Sequence, residues 1–206
     1  MKCSRFLWRY LNRIARGQYP QRWFNDYSVK RISKFRLKGL KRGLVPRIGR
    51  QLVKEGIITE YGSQHELSRM ADKVFINFEK AKIDRKPGHD VILKNILIKD
   101  EKSIATEVPV WYEKPEKITG HIDLVRINGD YVEVCDYKPE GNFMRSIPQV
   151  AYYGLVLKRQ LQLPYVVCSS FNRENLWEYE PNILFDRLDT ILSQIDAEGY
   201  KWQYFI

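Results

Sequence analysis

The chain has 206 residues, of which 44% are hydrophobic and 29% are charged, and these values are typical of a globular protein with one domain. No run of about 18 uncharged apolar residues is present, and neither is the apolar stretch of a secretory signal, so no transmembrane helix or secretion signal is predicted. The three cysteines, Cys3, Cys135 and Cys168, form no C-x-x-C pair, which argues against a disulfide framework or a zinc site and is typical of a reduced intracellular protein.

The charge is distributed unevenly along the chain. The whole sequence carries +10, but residues 1–50 contain fifteen basic residues and one acidic residue, so the remainder carries −4. We therefore predict a basic, aromatic-rich helical segment over residues 1–58 and a separate core over residues 59–206.

Aromatic residues lie between the basic residues of this N-terminal segment. Cations neutralise phosphates and aromatic rings stack on unpaired bases, so this composition favours contact with nucleic acid. Arg9, Arg13 and Trp23 are the candidate substrate-binding residues here. Three other interpretations stay open: a solvated basic helix whose aromatic side chains face the core, an organellar transit peptide, and a membrane-surface or partner-binding segment.

The spacing of apolar residues predicts alternating helices and strands. In chain order these are a helix over 4–16, a short helix after Pro46, a helix over 62–82, strands over 90–98, 104–112, 117–127 and 131–138, a helix over 146–161, strands over 165–171 and 176–179, and a helix over 183–196. This order predicts an α/β fold in which one mixed central sheet is flanked by helices.

Polar residues interrupt two neighbouring predicted strands in a way that buried strands normally avoid. Asp123 lies in the first strand, and Asp136 and Lys138 end the second. The Asn128-Gly129 turn predicts an antiparallel hairpin that brings Asp123 towards Asp136. Two carboxylates beside a lysine can hold a divalent cation for phosphodiester hydrolysis, whereas the alternative is an ordinary ion pair at the end of a strand.

Further polar residues are candidates for the same site. A neutral imidazole from His65, at the start of the predicted 62–82 helix, can complete a metal site and would favour Mn²⁺ over Mg²⁺; His89 and His121 are its rivals. Glu107 either faces the site or points to solvent from an edge strand, the position that Pro109 favours. Gln149 and Tyr153 share one face of the following helix. They contact the site or, alternatively, Gln149 is solvated and Tyr153 belongs to the core.

The ordered set Gly62-x-x-His65, Gly120-x-Ile122-Asp123, Asp136-x-Lys138 and Gln149-x-x-x-Tyr153 resembles the RecB-type branch of the PD-(D/E)XK nuclease superfamily. That branch includes the CRISPR-associated RecB-like nucleases. The resemblance covers roughly residues 60–171. Each motif alone is short, so the specificity of the resemblance comes from the combination of motifs. It implies the restriction-endonuclease-like core of that superfamily.

The resemblance also implies roles for single residues. Asp123, Asp136 and Lys138 would be catalytic, and Mg²⁺ or Mn²⁺ would be held by His65, Asp123, Asp136 and the backbone carbonyl of Tyr137. Gln149 and Tyr153 would support the site and contact nucleic acid. The cysteines lack the spacing of the iron–sulfur cluster found in many of these relatives, so no cluster is expected.

Taken together, these features predict a metal-dependent deoxyribonuclease that prefers single-stranded DNA, as ends, flaps or unpaired regions, and that does not involve a membrane. A non-catalytic nucleic-acid-binding module is the alternative. The sequence is compatible with endonuclease or exonuclease action and with any oligomeric state. We expect an intracellular, cytoplasmic protein, including the host cytoplasm for a viral protein, and favour this over a mitochondrial location.

Overall fold

The structure, a computed structural model, describes residues 2–41, 43–197, 199–200 and 203–204. Within these residues the chain forms seven α-helices and one sheet of seven strands. The strands are β1 (Lys30–Arg31), β2 (Ile58–Tyr61), β3 (Ser103–Tyr112), β4 (Ile118–Asn128), β5 (Tyr131–Tyr137), β6 (Val166–Phe171) and β7 (Leu176–Tyr179). The helices are α1 (Lys2–Ala15), α2 (Gln21–Asn25), α3 (Leu44–Lys54), α4 (Glu66–Lys80), α5 (His89–Lys99), α6 (Phe143–Leu161) and α7 (Pro181–Ser193).

The sheet is mixed and its longest strand, β4, organises one end of it. The strand order is β1-β4-β5-β6-β7-β2, and β3 pairs along the other edge of β4. The pairs β1–β4 and β5–β6 are parallel, and the other pairs are antiparallel. The predicted α/β class with a mixed central sheet flanked by helices is therefore confirmed.

Both faces of the sheet are covered. Alternate residues of β5 point to opposite faces: Val132 and Val134 belong to a cluster with α6, whereas Cys135 and Tyr137 belong to a cluster with α4 and α5. This two-sided burial explains why β5 reads as a nearly continuous apolar run. It also makes the buried carboxylate of Asp136, on the same strand, exceptional.

One predicted element is wrong. Residues 90–98, predicted as a strand, lie in helix α5. The run Val-Ile-Leu is typical of a strand, but Ile92, Leu93 and Ile96 all face one core cluster at helical spacing. The helix begins after Gly88 and carries Asp90 in its first turn, where an acidic side chain favours the helix dipole.

The basic N-terminal segment packs into the same core as the sheet. Leu7 and Tyr10 of α1, Leu37, and Leu52 of α3 belong to one cluster with the strands and α6. Strand β1 also joins the sheet beside β4. The division at residues 58 and 59 stays a prediction, but the two parts share buried contacts. Among the described residues, no helix combines the length and apolarity that crossing a bilayer requires.

Candidate active site

A gap in the pairing of β4 positions the candidate site. One edge of β4 pairs with β3 between Ile118 and Arg126, while the other edge pairs with β1 at Ile118 and Thr119 and with β5 from Leu124 onwards. Residues 120–123 therefore lie between two partner strands. Because Leu124 pairs with Cys135, the antiparallel register brings Asp123 opposite Asp136 at the end of β5.

Asp136 is a buried carboxylate with one charged neighbour of opposite sign. Its side chain is 1% exposed, and Nζ of Lys138 lies 2.5 Å from Oδ2. Neither carboxylate oxygen has another hydrogen-bond partner among the described residues. Burial, and then the charge of Asp123, raise the pKa of Asp136 to about 7 in spite of Lys138. Among the described residues, at least one oxygen of this carboxylate therefore has no partner and could act as a ligand to a divalent cation.

Asp123 is held by two contacts from different elements. Its Oδ2 accepts a hydrogen bond from the backbone N–H of Tyr137 at 2.9 Å and lies 3.0 Å from Nε2 of His89. The hydrogen bond with Asp123 raises the pKa of His89, against the effect of burial. The proximity of Asp123, Asp136 and Lys138 that the sequence predicts is therefore found. The role of the Tyr137 carbonyl stays a prediction.

The structure brings His89, and not His65, to these aspartates. His65 precedes α4 and caps it, with Nδ1 accepting a hydrogen bond from the N–H of Leu67 at 3.3 Å. Burial lowers the pKa of His65, and the charges that act on this pKa belong to residues at the other end of β5: Glu133, Glu66, Arg126 and Lys102.

At that end of β5, charged side chains pair with one another in a largely buried network. Arg126 is 1% exposed and pairs with Asp100 and Glu133, each at 2.7 Å, and with Glu66 at 2.5 Å. Lys102 adds a second cation to Glu66 at 2.8 Å. Because Glu66 directly follows His65, this network fixes the start of α4 away from Asp123 and Asp136.

Glu107 lies beside the site in an unusual backbone conformation. The register pairs Thr106 with Leu124 and Val108 with Ile122, so Glu107 falls opposite Asp123. Its φ of 51° is in the left-handed region, which is costly for a residue with a side chain, and such strained residues are enriched at functional sites. Burial, and then Asp123, raise its pKa. Potential ligand atoms of His89, Asp90 and Glu107 lie within 4.8 Å of one another, and Asp123 joins this group through His89.

Gln149 and Tyr153 lie behind the aspartates and are almost fully buried. Nε2 of Gln149 donates to the hydroxyl of Tyr153 at 3.3 Å, and Oε1 of Gln149 has no hydrogen-bond partner among the described residues. A Cβ on Gly120 would lie 2.4 Å from Cε1 of Tyr153, so this glycine makes room for the ring beside β4. Their burial fits a role in supporting the site better than direct contact with a base.

The predicted N-terminal substrate residues lie on two different helices, α1 and α2. Trp23, in α2, is half-buried under Nζ of Lys117, 5.0 Å from the ring centroid. Its neighbour Phe24 contacts the ring of His121 at 5.0 Å, and His121 is two residues before Asp123. Arg9 and Arg13 are exposed on α1. The structure thus places Trp23 near the edge of the site, and Arg9 and Arg13 on a separate helix whose opposite face is buried.

The sequence favours His65 for the position that His89 occupies, and it places His89, a rival candidate, in a turn because the residues after it are predicted as a strand. The signal for a helix start was present in Pro87-Gly88 and Asp90.

No model of a known protein family and no curated protein sequence matches the chain.

Proposed function

We propose that this chain is a divalent-metal-dependent nuclease that hydrolyses phosphodiester bonds in DNA, with the active site at Asp123, Asp136, Lys138 and His89. The observation that carries the proposal is the buried carboxylate of Asp136, which has Lys138 as its cationic neighbour and faces a second carboxylate. Burying two like charges together is costly, and proteins retain such an arrangement where a cation or a proton is to be bound.

The residues fit a hard divalent cation. Asp123 and Asp136 offer the carboxylate oxygens that Mg²⁺ and Mn²⁺ prefer, and His89 adds a nitrogen that favours Mn²⁺. Glu107 and Asp90 lie close enough to His89 to add further oxygens. A bound ion would stabilise charge on the phosphate and make a water molecule more acidic.

Lys138 has a position suited to catalysis. Its side chain is 24% exposed, contacts Asp136 and also lines a cavity that opens beside the site. The ammonium group can therefore turn from the carboxylate to a phosphate oxygen or to a water molecule without a change of the backbone. Cationic groups placed where negative charge develops are an effective means of lowering a barrier.

The order of the motifs supports a RecB-type PD-(D/E)XK nuclease when His89 replaces His65 as the histidine. The three consecutive antiparallel strands β3–β5, followed by α6 and β6, agree with the core that the resemblance implies. Single-stranded DNA is the favoured substrate, because aromatic rings and basic residues lie together near the edge of the site at Trp23, Phe24 and Lys117.

The direct test is cleavage of labelled single-stranded and duplex DNA with Mg²⁺, with Mn²⁺ or with EDTA. We expect cleavage that requires the metal, and a loss of at least about a hundredfold for Lys138→Ala. Lys94→Ala, an exposed lysine on α5, is the matched control and should retain activity. Cleavage that persists in EDTA, or in Lys138→Ala, would refute the mechanism. Salt-sensitive binding without cleavage would instead support the non-catalytic binding module.

A further inference from the structure

A basic cavity adjoins the candidate site on the side of Lys138. Its volume is about 520 Å³, and it lies between residues 36–40 of the N-terminal segment and the start of α6. Its lining includes four cations, Arg36, Lys38, Lys138 and Arg145, and a single acidic residue, Glu140. A cavity with this balance of charge favours an anionic ligand.

The backbone that carries the cations of this cavity is held by hydrogen bonds from other elements. Leu37 is 2% exposed in the main core, and its N–H donates to the carbonyl of Arg145 at 3.0 Å. The carbonyl of Lys38 accepts a hydrogen bond from the hydroxyl of Tyr200 at 2.8 Å. Arg36 and Lys38 flank the buried Leu37, and both side chains are exposed.

Two further features add positive potential to the cavity. Helix α6 begins at its wall, carries no acidic residue in its first turn, and has an N-cap residue, Asn142, whose side chain makes no capping hydrogen bond. Arg36, Lys38 and Arg145 form no salt bridge with an acidic side chain among the described residues. These cations are therefore available to a ligand.

A second cavity of about 430 Å³ neighbours the first, since Arg36 and Lys38 line both. It adds Lys34 to the wall, together with Tyr27, which is fully exposed. We refer to these two neighbouring cavities, which share Arg36 and Lys38, as the basic groove. An exposed ring beside cations is the combination that binds unpaired nucleotides.

We propose that this groove binds the phosphodiester backbone of a single DNA strand next to the bond to be cleaved, with Arg36, Lys38 and Arg145 as the phosphate contacts. Cavities of a few hundred Å³ accommodate ligands of the size of one or two nucleotides and not the rigid cylinder of a duplex. The assignment of the strand as a substrate rests on the proposed nuclease function, but binding in the groove can be measured without cleavage. Residues 27–40, which contribute to the lining of the groove, would then position the DNA strand for cleavage.

The test is fluorescence anisotropy of a labelled single-stranded oligonucleotide in EDTA, at several salt concentrations. The variant Arg36→Ala/Lys38→Ala should bind at least about tenfold more weakly than the unchanged chain. The negative slope of log K against log salt should become shallower by about 1.4, or about 0.7 for each lost phosphate contact. Lys94→Ala/Lys99→Ala removes two exposed lysines of α5 that line neither cavity, and it controls for net charge. Thermal unfolding of both variants checks that they fold.

An equal loss of affinity in the two double variants would overturn the proposal, because net charge alone would then account for binding. An equal effect on single-stranded and duplex DNA would overturn its single-strand part. Arg145→Ala provides a second test from a different element and should weaken binding in the same direction. The absence of cleavage with Mn²⁺ would refute the proposed nuclease while leaving these binding results interpretable.

Discussion

Asp136 and Lys138 form a pair whose members differ greatly in exposure, 1% for the carboxylate and 24% for the ammonium group. The lysine can leave the pair for solvent or substrate, whereas the carboxylate cannot leave the strand. In the metal-free protein the carboxylate is therefore kept in an environment that favours its protonated form.

This environment predicts a pH dependence of stability. The pKa of Asp136 is about 7 in the folded protein, above its ordinary value of 3.8, so the folded state binds this proton more tightly than the unfolded chain does. The contribution of Asp136 to the free energy of unfolding should therefore rise as the pH falls through about 7, and Asp136→Asn should remove that rise. Urea unfolding of metal-free protein at about pH 8 and about pH 6 measures the difference between the two proteins. The same pH dependence in both would contradict the prediction.

Substitution of His89 and substitution of His65 should have different effects on metal binding and on stability. His89→Ala deletes a side chain that contacts Asp123, so we expect the affinity for Mn²⁺ to fall by about tenfold or more. His65→Ala deletes the cap of α4 and should lower stability by about 1 kcal/mol with no change in Mn²⁺ affinity. Isothermal titration with Mn²⁺ and urea unfolding separate these effects. A loss of metal affinity in His65→Ala alone would restore the original assignment of His65.

At this scale, sequence reasoning found the residues whose spacing along the chain encodes their proximity. The Asn128-Gly129 hairpin is enough to bring Asp123 opposite Asp136, because an antiparallel register follows from a tight turn. It could not choose between His65 and His89, since that choice depends on how α4 and α5 pack on the sheet. The left-handed conformation of Glu107 also has no sequence signal.

At the level of elements, the candidate site depends on the part of β4 that has no partner strand on one edge. The gap between β1 and β5 leaves residues 120–123 without a partner strand on one edge, and Tyr153 of α6 fills part of the space next to Gly120. The position of a short parallel strand such as β1 is set by long-range packing, and the sequence analysis did not detect that strand.

Gly120→Ala should therefore disturb the site. The added Cβ would lie 2.4 Å from Cε1 of Tyr153 and 3.2 Å from Ile32, so the ring must move. We expect a loss of about 1–3 kcal/mol in the free energy of unfolding, together with weaker metal binding. Gly62→Ala is the control, because a Cβ there meets nothing within 4 Å. Equal stability of the two variants by urea unfolding would show that the contact is not tight.

The buried network around Arg126 joins α4, β4 and β5 at the other end of the sheet. Arg126→Met would leave Asp100 and Glu133 buried without their cation, so we expect a loss of about 3–5 kcal/mol. Arg187→Met removes an exposed partner of Glu55 and should change stability little. Denaturant unfolding of both variants measures the contrast. A small effect of Arg126→Met would mean that water or rearrangement satisfies the carboxylates.

Considered as a whole molecule, the protein uses its basic N-terminal segment in two ways. The inner face of α1 packs into the core through Leu7 and Tyr10, and the hydroxyl of Tyr10 donates to the carbonyl of Pro109 on β3. The outer face carries Arg9 and Arg13 in exposed positions. The sequence predicts the helix over residues 4–16, whereas its attachment to β3 follows only from the fold.

Removing the segment and removing its charge should have different consequences. Deletion of residues 1–16 exposes the surface that Leu7 and Tyr10 cover, so we expect the free energy of unfolding to fall by about 3 kcal/mol or more. Arg9→Ala/Arg13→Ala keeps that packing and should weaken DNA binding without a comparable loss of stability. Urea unfolding and anisotropy titrations distinguish the two. Unchanged stability after the deletion would contradict the shared core.

The most direct measurement is a crystal structure of the protein soaked in Mn²⁺, with the ion located by its anomalous scattering. We expect one strong peak between Asp123 and Asp136, with Nε2 of His89 at coordination distance and the ammonium group of Lys138 nearby. A peak at His65, or no peak between the two aspartates at saturating Mn²⁺, would contradict the proposed site.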